Sequence, residues 1–235
     1  YIKMNLNLKK KYLGICVARK NSKGLKNKNI IKIKSKPCSY WTLLSAKKSK
    51  CLTDIVLSTD SKKIIKIAKK LKIKTPYLRP KFLSGDNSPV YKVIHHLINY
   101  YKKKKIYYDY IVLLQCSSPF RTNNHIDEAI KYFEKNKKNK ISSLISVVKS
   151  DIKTNWLLRK KGKNIFPVFK NNSQNSKRQN NDDFFLPNGA IYIADIKYFK
   201  KNFFSSNTLF YEMDRKSSID IDTKEDIDFI KRNYE

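Results

Sequence analysis

Glycine is scarce, with five in 235 residues. Neither a Gly-x4-Gly-Lys-Ser/Thr loop nor a Gly-x-Gly-x-x-Gly turn can be read from them, which excludes a Walker A site and a dinucleotide fingerprint. Cysteine is thin as well: Cys16, Cys38, Cys51 and Cys116 are widely spaced and never form Cys-x-x-Cys. The three histidines, His95, His96 and His125, lie far from them in sequence, so no structural zinc site is written here. Cys16 and Cys116 fall in or at the end of apolar runs and read as core thiols. No apolar stretch approaches the roughly 20 residues of a membrane span. The first residues, Tyr1 to Asn5, carry no signal-peptide core. The expectation is one cytoplasmic domain covering 1–235 that folds without disulfides and has no membrane partner.

Acidic residues are also few, 19 against 52 Lys and Arg, for a net charge of +33. Such a balance ordinarily points to nucleic acid. Here the Lys, Asn and Ile excess runs from end to end, as compositional drift does, rather than gathering in one patch. Helix-turn-helix, zinc-finger and RNA-recognition signatures are absent. No nucleic-acid partner is expected, and a basic, non-catalytic nucleic-acid-binding protein is the alternative from another class.

What is present begins with Leu13 to Ala18, an apolar run that reads as a buried strand. A polar loop follows at once: Arg19, Lys20, Asn21, Ser22, Lys23, Gly24, Leu25, Lys26, Asn27, Lys28, Asn29. In an open α/β sheet, ligands bind at the carboxyl ends of strands. Cations with backbone N–H groups around Gly24 suit a polyphosphate; a solvated basic loop fits the same residues. Further strands are expected at Ile30–Ile33, Asp54–Asp60, Thr75–Leu78, Tyr110–Leu114, Leu144–Val148, Ala190–Ala194 and Leu209–Met213. Helices are expected after Pro37, over Ser61–Leu71, from Pro89 to about Tyr101, from about Asn124 to Glu134, near Tyr198 and over Lys224–Arg232. Thr223 is the natural N-cap of the last helix, with Asp226 at the capping-box position. Alternation of this kind means a mostly parallel sheet covered on both faces. From 150 to 187 the pattern breaks, and this stretch reads as a loop or an arm that orders against a partner.

Asp220-Ile221-Asp222 is the sharpest single signal. Residues i and i+2 of an extended segment face one side, so the two carboxylates become neighbours while Ile221 anchors the other face. Oxygen-only ligands held close suit Mg²⁺; helix capping by one Asp is the other reading. Gln115, Ser117 and Ser118 close a buried strand in polar groups, either for a ligand or for a helix-entry turn.

Six motifs in order resemble the CMP-N-acylneuraminate synthetases (acylneuraminate cytidylyltransferases). They are Ala18-Arg19-x-Asn21-Ser22-Lys23-Gly24-Leu25 with Lys28-Asn29; Ser58-Thr59-Asp60; Leu78-Arg79-Pro80; Leu113-Leu114-Gln115-x-Ser117-Ser118-Pro119-Phe120-Arg121-Thr122; Asn188-Gly189-Ala190-Ile191-Tyr192-Ile193; and Ser218-Ile219-Asp220-Ile221-Asp222-Thr223. The resemblance implies a Rossmann-like nucleotidyltransferase three-layer α/β sandwich and a homodimer with a protruding segment at about 150–187. It implies transfer of CMP from CTP to a nine-carbon α-keto acid sugar (a nonulosonic acid), with Mg²⁺ and release of pyrophosphate. Arg19, Lys28 and Asp222 are the catalytic residues it implies. Ala18, Arg19, Asn21, Ser22, Lys28, Asn29 and Arg79 match the nucleotide side. Gln115, Ser117, Arg178, Asn188, Tyr192, Phe203 and Phe204 match the sugar side, and Asp220 and Asp222 the metal ligands. Cys116 stands where the family usually has Pro, and Leu186 where Arg or a similar residue is usual. The eight-carbon sugar KDO is the alternative acceptor.

Overall fold

The computed structural model describes residues 10–21, 24–137, 141–151, 157–168, 183–205 and 207–234. The chain opens with β1 (Tyr12–Ala18), then a 3-10 turn at Lys28–Ile30 and a tight ribbon of β2 (Lys32–Ile33) and β3 (Lys36–Pro37). Lys34 and Ser35 take φ of 46° and 63°, the left-handed pair that a two-residue hairpin needs. Next come α1 (Cys38–Lys48), β4 (Asp54–Thr59), α2 (Lys62–Lys70), α3 (Val90–Lys103), β5 (Tyr110–Gln115) and α4 (Asn123–Asn136). The second half holds β6 (Ser143–Lys149), β7 (Leu158–Lys161), β8 (Asn164–Pro167), β9 (Phe185–Asp195), β10 (Thr208–Glu212) and α5 (Lys224–Tyr234).

Six strands form one sheet in the order β10-β6-β9-β5-β1-β4. β1 is parallel to β4 and β5, and β6 to β10; only β9 runs against its neighbours. The apolar runs of β1 and β5 are buried on both faces, as central parallel strands require. One face packs under α1, α2 and α4 through Leu43, Ile64, Ala68, Ile130 and Phe133. The other packs under α3 and the 196–203 segment through Val93, Ile94, Leu97, Phe199 and Phe203. This is the mostly parallel three-layer α/β sandwich expected from the sequence.

A third, small core decides where the chemistry sits. Ile33, Cys38, Ile221, Ile227 and Ile230 are buried together, with Leu25 packed against them. Leu25 belongs to the basic loop and Ile221 to the acidic segment, so one apolar cluster draws two distant polar stretches together. Burying Ile221 alone contributes about 1.5–3 kcal/mol. Thr223 and Asp226 close the expected capping box: Asp226 N–H donates to Thr223 Oγ1 (3.2 Å) and Thr223 N–H to Asp226 Oδ2 (2.8 Å).

Three local expectations are corrected. Thr75–Leu78 is not a strand: the chain bonds to β4 on either side of it, at Lys74, whose carbonyl accepts from Leu57 N–H, and at Arg79, whose N–H donates to the Thr59 carbonyl. Pro76 has no N–H to extend a ladder between them. The helix near Tyr198 is a single turn on the Asp195 carbonyl. Ile30–Ile33 keeps only its last two residues as strand, because the 3-10 turn takes Ile30.

Candidate active site

The carboxyl ends of β1 and β5 open into a cleft of about 280 Å³. Its wall includes Ala18, Arg19, Lys28, Asn29, Arg79, Gln115 and Ser117, seven of the residues singled out in sequence, joined by Leu83, Gly85, Asp86 and Ser88. Asn29 is buried and donates through Nδ2 to the Arg19 carbonyl at 3.0 Å, which pins the loop back onto the end of β1. Lys20 N–H donates to Asp60 Oδ1 at 2.6 Å on the neighbouring strand end. Arg79 is buried, its Nε donating to Ser58 Oγ (3.0 Å) and its Nη2 to the Ser58 carbonyl. Fixed in this way, the guanidinium presents its planar fork without reorganisation.

Lys28 and Asp222 stand 194 positions apart and meet: Nζ lies 2.6 Å from Oδ1. Gly24 explains how closely the two segments approach. A Cβ there would come within 2.6 Å of the Asp222 carbonyl oxygen, so only glycine lets the loop lie against that backbone. Asp220 accepts from Ser118 Oγ at 3.3 Å, and Ile221 N–H donates to the Ser117 carbonyl at 2.9 Å. Burial holds the Asp220 carboxyl above the usual carboxylate range, against the opposing pull of the Ser117 hydroxyl and the Lys28 ammonium. The nearby Asp222 charge raises it further.

The donor set suits a hard divalent ion. Asp220 and Asp222 offer acceptor-only oxygens close enough to feel each other's charge, and Asp222 is two-thirds exposed. Among the described residues no cluster of three or more His, Cys, Asp or Glu gathers to cage a metal. Mg²⁺ commonly takes one or two carboxylates and fills its remaining positions with water and phosphate.

On the sugar side the placement is mixed. Asn188 is buried and occupied: Oδ1 accepts from Ser146 Oγ (2.5 Å) and Ala190 N–H (3.1 Å), and Nδ2 donates to Ser218 Oγ (2.9 Å). It thereby braces the point where the β6–β9 register shifts between Ile145 and Val147, and Gly189 supplies the positive φ of 74° there. Tyr192 packs on Phe203 with ring centroids 5.1 Å apart. Its phenol is raised by burial and then by Asp220. Phe203, buried, and Phe204, half-exposed, both line a separate cavity with Ser142, Ser143 and Ala194, at the opposite end of the strands, and neither lines the cleft. Asn21 is exposed and is not part of the cleft wall. Ser22 and Arg178 lie outside the described residues.

Asp86 was not singled out from sequence. Its Oδ1 pairs with Arg19 Nη1 at 2.7 Å and so sets the resting position of the loop's first cation. The signal available was an acid at a Gly-Asp-Asn turn in a chain poor in acids. Cys16 and Cys116 are buried thiols as expected, and burial pushes Cys116 up to about 12. Cys116 N–H donates to the Val17 carbonyl at 3.3 Å, a bond that a Pro could not make.

The family profile described as Cytidylyltransferase matches residues 13–233. The chain belongs to the cytidylyltransferase family. It is 31% identical over 223 residues to the N-acylneuraminate cytidylyltransferase of Escherichia coli, covering 94% of this chain and 51% of that protein. It is 32% identical to the CMP-N,N'-diacetyllegionaminic acid synthase of Legionella pneumophila, covering 90% of both. The chain therefore spans about half the length of the first relative and most of the second. Among solved structures, a 4-diphosphocytidyl-2C-methyl-D-erythritol synthase superposes with a TM-score of 0.68 at 10% identity, covering 96% of this chain and 99% of that one. A CMP:2-keto-3-deoxy-manno-octonic acid synthetase complexed with CTP gives 0.66 at 12%, covering 94% and 97%. These two likenesses bear on the fold, which this chain shares.

Proposed function

We propose that this cytidylyltransferase transfers CMP from CTP to a nine-carbon α-keto acid sugar (an N-acylneuraminate, a legionaminate or a related nonulosonate) and releases pyrophosphate. The observation that carries the reading is the Lys28–Asp222 contact at 2.6 Å on the edge of a cleft walled by Arg19, Arg79 and Gln115. Relatives named for N-acylneuraminate, N,N'-diacetyllegionaminic acid and pseudaminic acid support the acceptor class.

The sugar's anomeric hydroxyl oxygen forms a bond to the α-phosphorus as the bond to the pyrophosphate oxygen breaks, and the hydroxyl proton leaves to solvent. Positioning and charge stabilisation supply most of the catalysis in such a transfer. Arg19 and Lys28 neutralise the charge that gathers on the phosphates. Ala18, Asn21, Ser22, Asn29 and Arg79 form the nucleotide side. Gln115, Ser117, Asn188 and Tyr192 form or brace the sugar side, Phe203 only packs behind Tyr192, and Arg178 contributes its fork to the sugar carboxylate. Asp220 and Asp222 hold Mg²⁺. When bound, the ion supplies charge neutralisation on the phosphate oxygens.

The working unit is a homodimer. Its support is the β7–β8 hairpin, where Leu158, Ile165 and Phe166 are exposed on a ribbon whose every residue faces solvent. No helix among the described residues is long and apolar enough to cross a membrane, and a reaction that consumes CTP belongs in the cytoplasm. The test is pyrophosphate release from CTP and Mg²⁺ with N-acetylneuraminic, N,N'-diacetyllegionaminic and pseudaminic acids and KDO. Turnover with a nine-carbon acid is the expected result. Turnover with KDO alone, or with none of the four, overturns the proposal.

A further inference from the structure

One enclosed cation has no part in the chemistry above. Arg121 is 2% exposed, and among the described residues no carboxylate pairs with it. Its Nη1 donates to two carbonyls, Gln115 at 3.2 Å and Ala190 at 2.8 Å. Its Nε and Nη2 are buried with no hydrogen-bond partner among the described residues. A buried guanidinium left half-satisfied is costly and asks for an explanation.

The sheet supplies one. β5 and β9 pair from Tyr110↔Asp195 to Leu113↔Tyr192. The same register carried two residues further would set Gln115 opposite Ala190. The ladder stops short, and the carbonyls of those two residues both accept from the one guanidinium nitrogen. Arg121 therefore stands in for ladder bonds at the site end of the sheet. Beyond it, Gln115 turns toward the cleft and β9 turns into the Asn188–Gly189 bend. The strand ends stay close: a Cβ on Gly189 would lie 3.6 Å from Gln115 Nε2 and 3.8 Å from Asp220 Oδ2.

We propose that Arg121 is a positioning residue, a wedge between β5 and β9 that fixes the spacing of Gln115 against the Asn188–Gly189 bend and so shapes the sugar side of the cleft. This rests on the cytidylyltransferase reading for what the spacing serves. The nucleotide side is anchored by other bonds, at Asn29 and Arg79.

The test uses Arg121→Met, which fills similar space without charge, and Arg121→Lys, which keeps the charge but not the fork. In folded Arg121→Met the KM for the nonulosonic acid rises tenfold or more, the KM for CTP stays within twofold, and Arg121→Lys recovers part of the loss. In a Gln115→Ala background the effect of Arg121→Lys on the sugar KM shrinks. Equal rises in both KM values, no change in either, or full additivity with Gln115→Ala overturns the proposal. A readout that needs no turnover is the Gln115 side-chain amide resonance in ¹⁵N-labelled Arg121→Lys protein. It shifts while that of Asn29 holds still; a stationary Gln115 resonance overturns the wedge. Silence of the wild type with every acceptor counts against the functional reading alone, because the resonance test still decides the wedge.

Discussion

The two halves of the cleft are built by different means. The half proposed for the nucleotide stands on β1, β4 and β5, parallel strands, and its cations project from their ends. The half proposed for the sugar leans on β9, the one strand of the sheet that runs the other way, and its Asn188 side chain is spent on bracing that strand. Charge is delivered by a rigid edge; shape is delivered by a strand that has to be bent and held. Substitutions should therefore separate the two, with losses of turnover on one side and losses of acceptor fit or stability on the other.

The sharpest break is expected at the contact between the halves. Asp222→Asn and Lys28→Met should each lower turnover by about 10²–10³-fold. The melting temperature should stay within a few degrees, since an ion pair whose carboxylate is two-thirds exposed contributes about 0–1 kcal/mol. Steady-state rates beside thermal melts check both halves of that statement. Gly24→Ala should follow. Its Cβ would meet the Asp222 carbonyl at 2.6 Å, so the loop must move, and a displacement of about 1 Å near the reacting centre costs up to about 100-fold. On the other half, Asn188→Ala removes a side chain that makes three hydrogen bonds. It should cost about 2–3 kcal/mol in denaturant unfolding and raise the acceptor KM more than the CTP KM.

The smallest effect concerns pH. Because Asp220 sits above its ordinary 3.8 in the fold, the native state holds more protons than the unfolded chain from that value up through the raised one. Stability therefore falls as pH rises across this window. Asp220→Asn should flatten that slope and melt no lower than wild type at pH 7, while abolishing Mg²⁺-dependent turnover. A variant that melts lower at pH 7 and keeps the slope would show that Asp220 is not the group responsible.

The same contrast explains what could be read from the sequence. β1, β4 and β5 announce themselves as apolar runs ending in polar clusters, and α2 and α3 as amphipathic helices, because burial and periodicity are local properties. The acidic pair was legible through the alternation about Ile221. β9 was harder. Its core, Ala190–Ala194, reads as a strand, but its direction and its start at Phe185 depend on pairing with β6, which no local pattern encodes. Asn188, a sugar contact by resemblance, also braces β9, which no local pattern shows, since its partners Ser146 and Ser218 are far away in sequence. Asp86 and Arg121 gain their roles only when Arg19 and Ala190 arrive beside them.

The account stands on the meeting of the basic loop and the acidic segment around one triphosphate. Calorimetric titration of CTP into wild type and Asp222→Asn, with and without Mg²⁺, addresses that meeting directly. The account predicts that Mg²⁺ tightens CTP binding to the wild type at least tenfold and leaves the variant's affinity unchanged. An equal Mg²⁺ enhancement in both proteins would contradict it.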